Sequence, residues 1–463
     1  MKDNIWNKYN KYDKKTLDEL CNDYREFISK SKIEREFVRN SIKLAEDAGF
    51  KNLNDFINNR QEIVPGDKIY VNNRGKSLAL FVIGSDDIKN GMNILGAHVD
   101  SPRLDLKASP LYEDTDLAYF DTHYYGGIKK YQWVTLPLAL HGVIALKNGE
   151  VINVIIGEDD DDPVVGITDL LPHLGSEQMK KDGSKVVEGE KLDVLIGSMP
   201  LINDESDEEV KDAVKKNILN ILNKKYGITE DDFLSAEIEV VPAGCARDFG
   251  LDRSMIMAYG QDDKVCAYTS LRAILDIGNC YKTICCLLVD KEEIGSVGAT
   301  GMESSFFENA VTEICLLMNH KSVTTISRCL SNSCMLSSDV NAAYDPLYSD
   351  VMDKRNSSYF NNGVVFCKYT GARGKSGSND ADAEYIAKLR NIMDSNNVSF
   401  QISELGKVDA GGGGTIAYIL ANKNVNVIDC GVGVLSMHAP WEVTAKADIY
   451  EAYKCYLSFL KDA

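Results

Sequence analysis

Six residues, His98, Asp262, Glu292, Glu293, Asp339 and His438, each stand where an apolar run gives way to a polar or glycine-rich turn. Read together they supply the ligands and the base of a two-metal hydrolase. Two divalent cations about 3.5–4 Å apart need a bridging carboxylate, terminal ligands and a shared water. Asp262 is the candidate bridge, and Asp263 beside it helps fix the turn. His98 and Asp339 would complete one cation, Glu293 and His438 the other. Two divalent cations are balanced by three ligating carboxylates and one hydroxide, and a neutral cluster is easier to bury than a bare charge. Oxygen and imidazole donors without thiolate suit zinc, with cobalt or manganese as alternatives.

Asp100 lies two residues beyond His98 and is placed to accept the other imidazole N–H, fixing the tautomer of the ligand. Glu292 adjoins the ligand Glu293, so one carboxylate can point at the cation while the other takes a proton from its water. Taken singly, each residue has an ordinary explanation. His98 alone is a loop histidine, Glu292-Glu293 an acidic turn, and Asp339 a turn cap. The set is distinguished by its common position after four strand-like runs and by donor types that complete one another.

The elements that must hold these residues alternate. Strand-like runs at 68–71, 78–83 and 93–98 follow a helical, highly charged segment at 16–48. Later, runs at 255–259, 283–289, 333–337 and 425–430 each lead into a turn and then a helical stretch (264–277, 303–319 and 444–460 among them). Strands alternating with helices predict an α/β sheet, with ligands gathered beyond the carboxyl ends of its strands. Between about Ser109 and Cys245 the texture changes to short β-rich runs (141–146, 151–156, 236–241), acidic stretches and one helical segment near 210–225. None of the six residues falls there, which predicts an inserted domain at 109–245 within a discontinuous catalytic domain of 1–108 and 246–463.

The balance of charge excludes some partners. A formal charge of −19 leaves no basic footprint for nucleic acid or an anionic membrane surface. Acidic runs at 158–162 and 204–209 read as solvated surface. No apolar window is long enough to cross a bilayer. The 12 cysteines form no C-x-x-C pair, and the chain opens without an apolar signal core, so a reduced, cytoplasmic protein is expected.

Several of these segments resemble the aspartyl aminopeptidase family of dinuclear zinc exopeptidases, along essentially the whole chain. They are Gly96-Ala97-His98-Val99-Asp100-Ser101-Pro102, Tyr125-Gly126-Gly127, Pro172-His173-Leu174, Asp290-Lys291-Glu292-Glu293-Ile294-Gly295-Ser296, Ser338-Asp339 and Ser436-Met437-His438. The resemblance implies a mixed-sheet α/β catalytic domain interrupted by a smaller β-rich dimerisation domain, and dimers assembled into a dodecamer. It implies two zinc ions on His98, Asp262, Glu293, Asp339 and His438, with Glu292 as base. It also implies that His173, from the β-rich domain, and Lys368 reach the substrate, a peptide with a free N-terminus. The run Gly411-Gly412-Gly413-Gly414-Thr415 lacks the Gly-Lys-Ser/Thr ending of a phosphate loop. In the resembling family this region lines the cleft, which marks Gly412 and Gly413 as substrate-binding backbone.

Two departures concern specificity. Family members that prefer acidic N-terminal residues carry histidines shortly after the Asp339 position, whereas this chain reads Asn341-Ala342-Ala343-Tyr344-Asp345-Pro346. A tyrosine expected before Ser378-Asn379 is replaced by Arg373-Gly374-Lys375-Ser376. The expectation is therefore an aminopeptidase whose acidic preference rests on analogy, with Lys368, Arg373 or Lys375 as cations that could serve it. The alternatives are a neutral or hydrophobic preference, a carboxypeptidase or deacylase on the same scaffold, and a catalytically silent assembly protein. Glu292 argues against the last, because a scaffold needs no base.

Overall fold

The computed structural model describes residues 4–202, 211–322, 324–371 and 374–463. The start of the chain, the acidic run 204–209, the first residue of the helical segment expected near 210–225, and Arg373 lie outside the described residues. The described chain forms two compact units, one of residues 1–101, 246–437 and 442–463, the other of 102–245 and 438–441.

The first unit is built on a nine-stranded mixed sheet. Five of its strands matter to the site: β1 (Met92–His98), β2 (Thr283–Val289), β3 (Cys334–Ser337), β4 (Val364–Cys367) and β5 (Asn426–Gly431). They lie in the order β2-β1-β3-β5-β4, the first four parallel and β4 antiparallel to β5. Register aligns Val289 with His98, Gly96 with Ser337, Ser337 with Asp429, and Asp429 with Cys367. Parallel strands must be covered on both faces, which is why β1 and β2 are mostly apolar and buried along their full length.

Alternate residues feed two cores. Leu95, Ala97, Cys286, Leu288, Leu336 and Ile428 join a cluster with apolar residues of the helices Lys11–Ser29, Glu34–Asp47, Gln261–Asp276 and Lys446–Asp462. Ile94, Cys285, Leu287, Met335 and Val427 join another with the helices Leu53–Asn59, Phe306–Leu317 and Ala417–Ala421. Each fully buried aliphatic side chain contributes about 1.5–3 kcal/mol, so the strands are fixed well below the loops they carry. The α/β expectation holds. The adjacent Cys285 and Cys286 pack on opposite faces as small apolar residues, and all 12 cysteines are free.

A second sheet in the same unit was not legible in the sequence. Its strands are Arg247–Phe249, Met255–Ala258, Glu442–Ala445, Gly433–Leu435 and Asn341–Ala342. The run before Asp262 therefore belongs to this sheet and not to the large one. Strands of two to four residues are too short to show which sheet they join.

The other unit is a six-stranded antiparallel sheet in the order Val151–Ile156, Leu138–Ala145, Ala236–Pro242, Arg103–Asp114, Leu117–Tyr125, Val194–Gly197, with the α-helix Ala213–Tyr226. The boundary expected between 108 and 109 falls inside the strand Arg103–Asp114, and the unit begins at Pro102. Pro110 lies within the strand. A register shift between Leu106 and Leu111 takes the proline up without ending the strand. No helix among the described residues is long and apolar enough to cross a membrane.

Candidate metal centre

Three adjacent strand ends deliver four of the expected residues. His98 closes β1, Glu292 and Glu293 follow β2, and Asp339 follows β3. One donor atom each from His98, Asp262 and Asp339 lie within 4.8 Å of one another, as do donors from His98, Glu292 and Glu293. An Asp262 oxygen also comes within 4.8 Å of a Glu293 oxygen. His98 is buried, and its Nε2 sits 3.2 Å from Asp262 Oδ1 and 4.0 Å from Glu292 Oε2. Imidazole and carboxylate donors at this spacing, with no thiolate among them, fit a hard-to-borderline divalent cation such as zinc.

Asp100 does more than the sequence suggested. His98 Nδ1 lies 3.1 Å from the Asp100 carbonyl and 3.3 Å from its carboxylate, which turns Nε2 toward the other donors. The same carboxylate accepts the backbone N–H of Glu292 at 3.1 Å and that of Glu293 at 3.2 Å. One buried aspartate thus sets both the ring of His98 and the turn that presents the two glutamates. Lys291 (φ 69) and Gly295 (φ 98) bracket that turn in left-handed conformations. The bond from Gly295 N–H to Glu292 O, 2.9 Å, closes it.

Asp262 is placed by its backbone. Its N–H donates to Glu442 Oε2 at 3.0 Å, and its carbonyl accepts from Ser101 Oγ at 2.8 Å. Buried Lys264 in turn donates to Ser101 Oγ, and Tyr24, from the first long helix, donates to Gln261 Oε1. Gly260 enters this turn at φ +72, where a Cβ would stand 2.7 Å from both Lys264 Nζ and Ser101 Oγ. The peptide between Asp262 and Asp263 is cis. Glu442, Ser101 and Lys264 were missed in the sequence because their partners lie far away along the chain, and only Ser101 stood inside a recognised motif.

The electrostatics is that of a crowded acidic pocket. Burial lifts the Asp339 carboxyl well above its usual range, and neighbouring Asp263 and Asp262 lift it further. Burial also lifts Asp263; His98 opposes that shift and Asp262 adds to it. Burial works against a charged His98 ring, yet Asp100, Asp262 and Glu292 outweigh it and hold its pKa well above the ordinary value. Such a cluster favours positive charge among its carboxylates, and cation uptake has to displace protons from it.

The remaining expected residues are distributed as follows. His438 (φ 64) belongs to the short segment 438–441 that groups with the β-rich unit, where its Nδ1 lies 3.0 Å from the Gly127 carbonyl. His173 is exposed on a turn of that same unit. Lys368 follows β4, with its ammonium 3.0 Å from Asp380. Gly412 has φ 130, and the Gly413 N–H donates to the Thr370 carbonyl at 3.1 Å.

Asp429 was not singled out in the sequence. It lies on β5 across from Ser337, is fully buried, and burial pushes its carboxyl up to about 6 against partial relief from the Thr415 and Ser337 hydroxyls. A carboxyl raised on folding binds more protons in the folded state between the unfolded value and about 6. Stability from this group is therefore full at acid pH and declines as pH rises through that window. Asp429→Asn is expected to raise Tm at pH 8, by an amount on the order of 2 kcal/mol in stability, and to do little at pH 4. Thermal melts of metal-free protein at the two pH values check this, and an equal shift at both would contradict it.

Comparison with known proteins gives a consistent result. The family model described as aminopeptidase I zinc metalloprotease (M18) matches residues 27–460. A probable M18 family aminopeptidase 1 from Clostridium acetobutylicum is 58% identical over 459 residues, covering 99% of this chain and 98% of the relative. A crystal structure of an M18-family aminopeptidase from Thermotoga maritima superposes with a TM-score of 0.94 at 44% identity, covering 100% of both chains. That of aminopeptidase I from C. acetobutylicum gives a TM-score of 0.90 at 55% identity, again over 100% of both.

Proposed function

The chain belongs to the M18 family of aminopeptidase I zinc metalloproteases, and from that premise we propose that it releases single residues from the free N-termini of peptides with two zinc ions per chain. The observation that carries the reading is the meeting of His98, Asp262, Asp339, Glu292 and Glu293 at the ends of three adjacent strands and one neighbouring turn. In this reading Asp262 would be shared between the cations, with His98 and Asp339 to hold one and Glu293 and His438 to hold the other. Cobalt or manganese could replace zinc on the same donors.

Bound cations would acidify a water and polarise the scissile carbonyl. The protein supplies the rest. Glu292, whose backbone is pinned by Asp100, accepts the water proton and returns it to the departing amine. His98 is kept in one tautomer, and Asp262 is held at both its N–H and its carbonyl, so little reorganisation accompanies the reaction. The substrate amine is attracted by the carboxylates around it, which favours exopeptidase action. Gly412 and Gly413 would offer bare backbone to the peptide, and His173 and Lys368 would contact it.

The resemblance extends the proposal to a homo-oligomer, dimers joined through the β-rich unit building a dodecamer, in the cytoplasm. It also implies an acidic N-terminal residue. A specific observation favours an uncharged one instead, because Lys368 and Lys375 both lie against Asp380.

Hydrolysis of aminoacyl p-nitroanilides covering acidic, basic, aliphatic and aromatic residues, with zinc, cobalt or manganese added, tests the reaction. Turnover is expected with free-amine substrates and only background with their N-acetyl forms. Release of acetate from the N-acetyl forms would transfer the chain to the deacylases, loss of a C-terminal residue from a free peptide to the carboxypeptidases, and silence on every substrate would leave an assembly protein.

A further inference from the structure

Residues 100 and 101 are consecutive, and each reaches a different turn of the candidate metal centre. Asp100 orients the His98 ring and accepts both N–H groups of the Glu292–Glu293 turn. Ser101, itself buried, donates through Oγ to the Asp262 carbonyl at 2.8 Å. That carbonyl needs a partner from outside its own helix. Asp262 (φ −80, ψ 108) and Asp263 (φ −112, ψ 22) depart from helical geometry within the element Gln261–Asp276, which turns the carbonyl away from the helix axis.

Behind Ser101 stands Lys264, fully buried, whose Nζ donates to Ser101 Oγ. The same Nζ lies 5.4 Å from the ring centre of Tyr259. Gly260 makes the room for this contact, since a Cβ there would crowd both Lys264 Nζ and Ser101 Oγ at 2.7 Å. Burying an ammonium costs free energy that a methionine in the same space would not cost. The charged group does something that packing cannot. An ammonium has three donors and no acceptor, whereas a serine hydroxyl has a single proton. Ser101 Oγ therefore accepts from Lys264, and its one proton is left for the Asp262 carbonyl.

Resting on the two-metal reading above, we propose that Lys264 and Ser101 form a positioning pair for the shared ligand. The lysine fixes the direction of the serine hydroxyl, and the serine fixes the backbone of Asp262. With the Asp262 N–H held by Glu442 as well, the side chain leaves a backbone anchored on both sides, and its Oδ1 stands 3.2 Å from His98 Nε2. Little ordering of Asp262 then remains to be done when cations bind. Neither Lys264 nor Ser101 is a proposed ligand, and both act through Asp262.

The test uses full-length protein with three readouts. They are zinc affinity by competition with a chromophoric chelator, the visible spectrum of the cobalt-substituted form, and steady-state kinetics on the p-nitroanilide that wild type cleaves best. Lys264→Met and Ser101→Ala are each expected to weaken zinc binding about tenfold. Each should also alter the cobalt spectrum and lower kcat with KM little changed, which a mere loosening of the core would not do to the folded protein. Because the lysine acts through the serine, the double variant should lose no more than either single one. Undiminished zinc affinity in either variant, an unchanged cobalt spectrum, or losses that add in the double variant would each overturn the proposal. If Lys264→Met does not fold, Ser101→Ala, which removes one oxygen, decides: a tenfold loss supports the pair and retained affinity overturns it. A wild type that binds two zinc ions and cleaves free-amine substrates sustains the two-metal reading whatever the variants do. A wild type that takes up no zinc ends that reading and this inference together.

Discussion

Glu292→Gln should lower kcat on aminoacyl substrates by about a thousandfold while leaving zinc content near that of the wild type. The amide keeps the shape of the side chain and removes its ability to take a proton. The backbone of the turn is unaffected, because Asp100 holds it through the N–H groups of residues 292 and 293 and not through their side chains. Glu293, His98, Asp262 and Asp339, the groups proposed to hold the cations, are untouched by the change. KM should change little, since the lost step belongs to the transition state and not to substrate binding. The measurement is steady-state kinetics together with metal analysis of the same preparation. Loss of zinc in step with activity would make Glu292 a ligand, and retained activity would remove it from the reaction altogether.

Much of this centre was legible because the chemistry sits at the ends of apolar runs. His98, Glu292, Glu293 and Asp339 follow β1, β2 and β3, which are neighbours in one parallel array, and an α/β pattern places such ends on one edge. The route that brings Asp262 into the candidate cluster differs from the one expected. Its preceding strand belongs to a different sheet, and the aspartate reaches the others through a turn fixed by Glu442 and Ser101. Bonds between residues more than 150 positions apart leave no periodic trace in a sequence.

The rest of what was hidden has similar causes. The strands Val364–Cys367 and Phe400–Ser403 and the helices Thr324–Ser331 and Ala383–Ser395 went unassigned, the strands because four residues carry almost no periodic signal. Lys368 and Lys375 were read as cations available to an acidic substrate, and only the coordinates bring Asp380 between them. Asp100 was legible as the partner of His98 from a spacing of two residues. Its grip on the Glu292–Glu293 turn, nearly two hundred residues later, was not.

Asp262→Ala should reduce activity to background and cut bound zinc well below two per chain, a larger loss than replacing a terminal ligand would cause. A carboxylate shared by two cations contributes to both, and removing it also separates the charges that hold them together. The fold should survive the change. Glu442 and Ser101 engage the N–H and carbonyl of residue 262, which alanine keeps, and Tyr24 holds Gln261 next to it. Removing one carboxylate also relieves the repulsion that lifts the Asp339 carboxyl, so the metal-free variant should melt no lower than metal-free wild type. The sharp contrast lies in the response to zinc. Wild type should gain thermal stability on metal addition through linkage, and the variant should gain much less. An Asp262→Ala protein that still binds two zinc ions with undiminished stabilisation would show that the cations are held without a shared aspartate, and the two-metal assignment of this turn would fall.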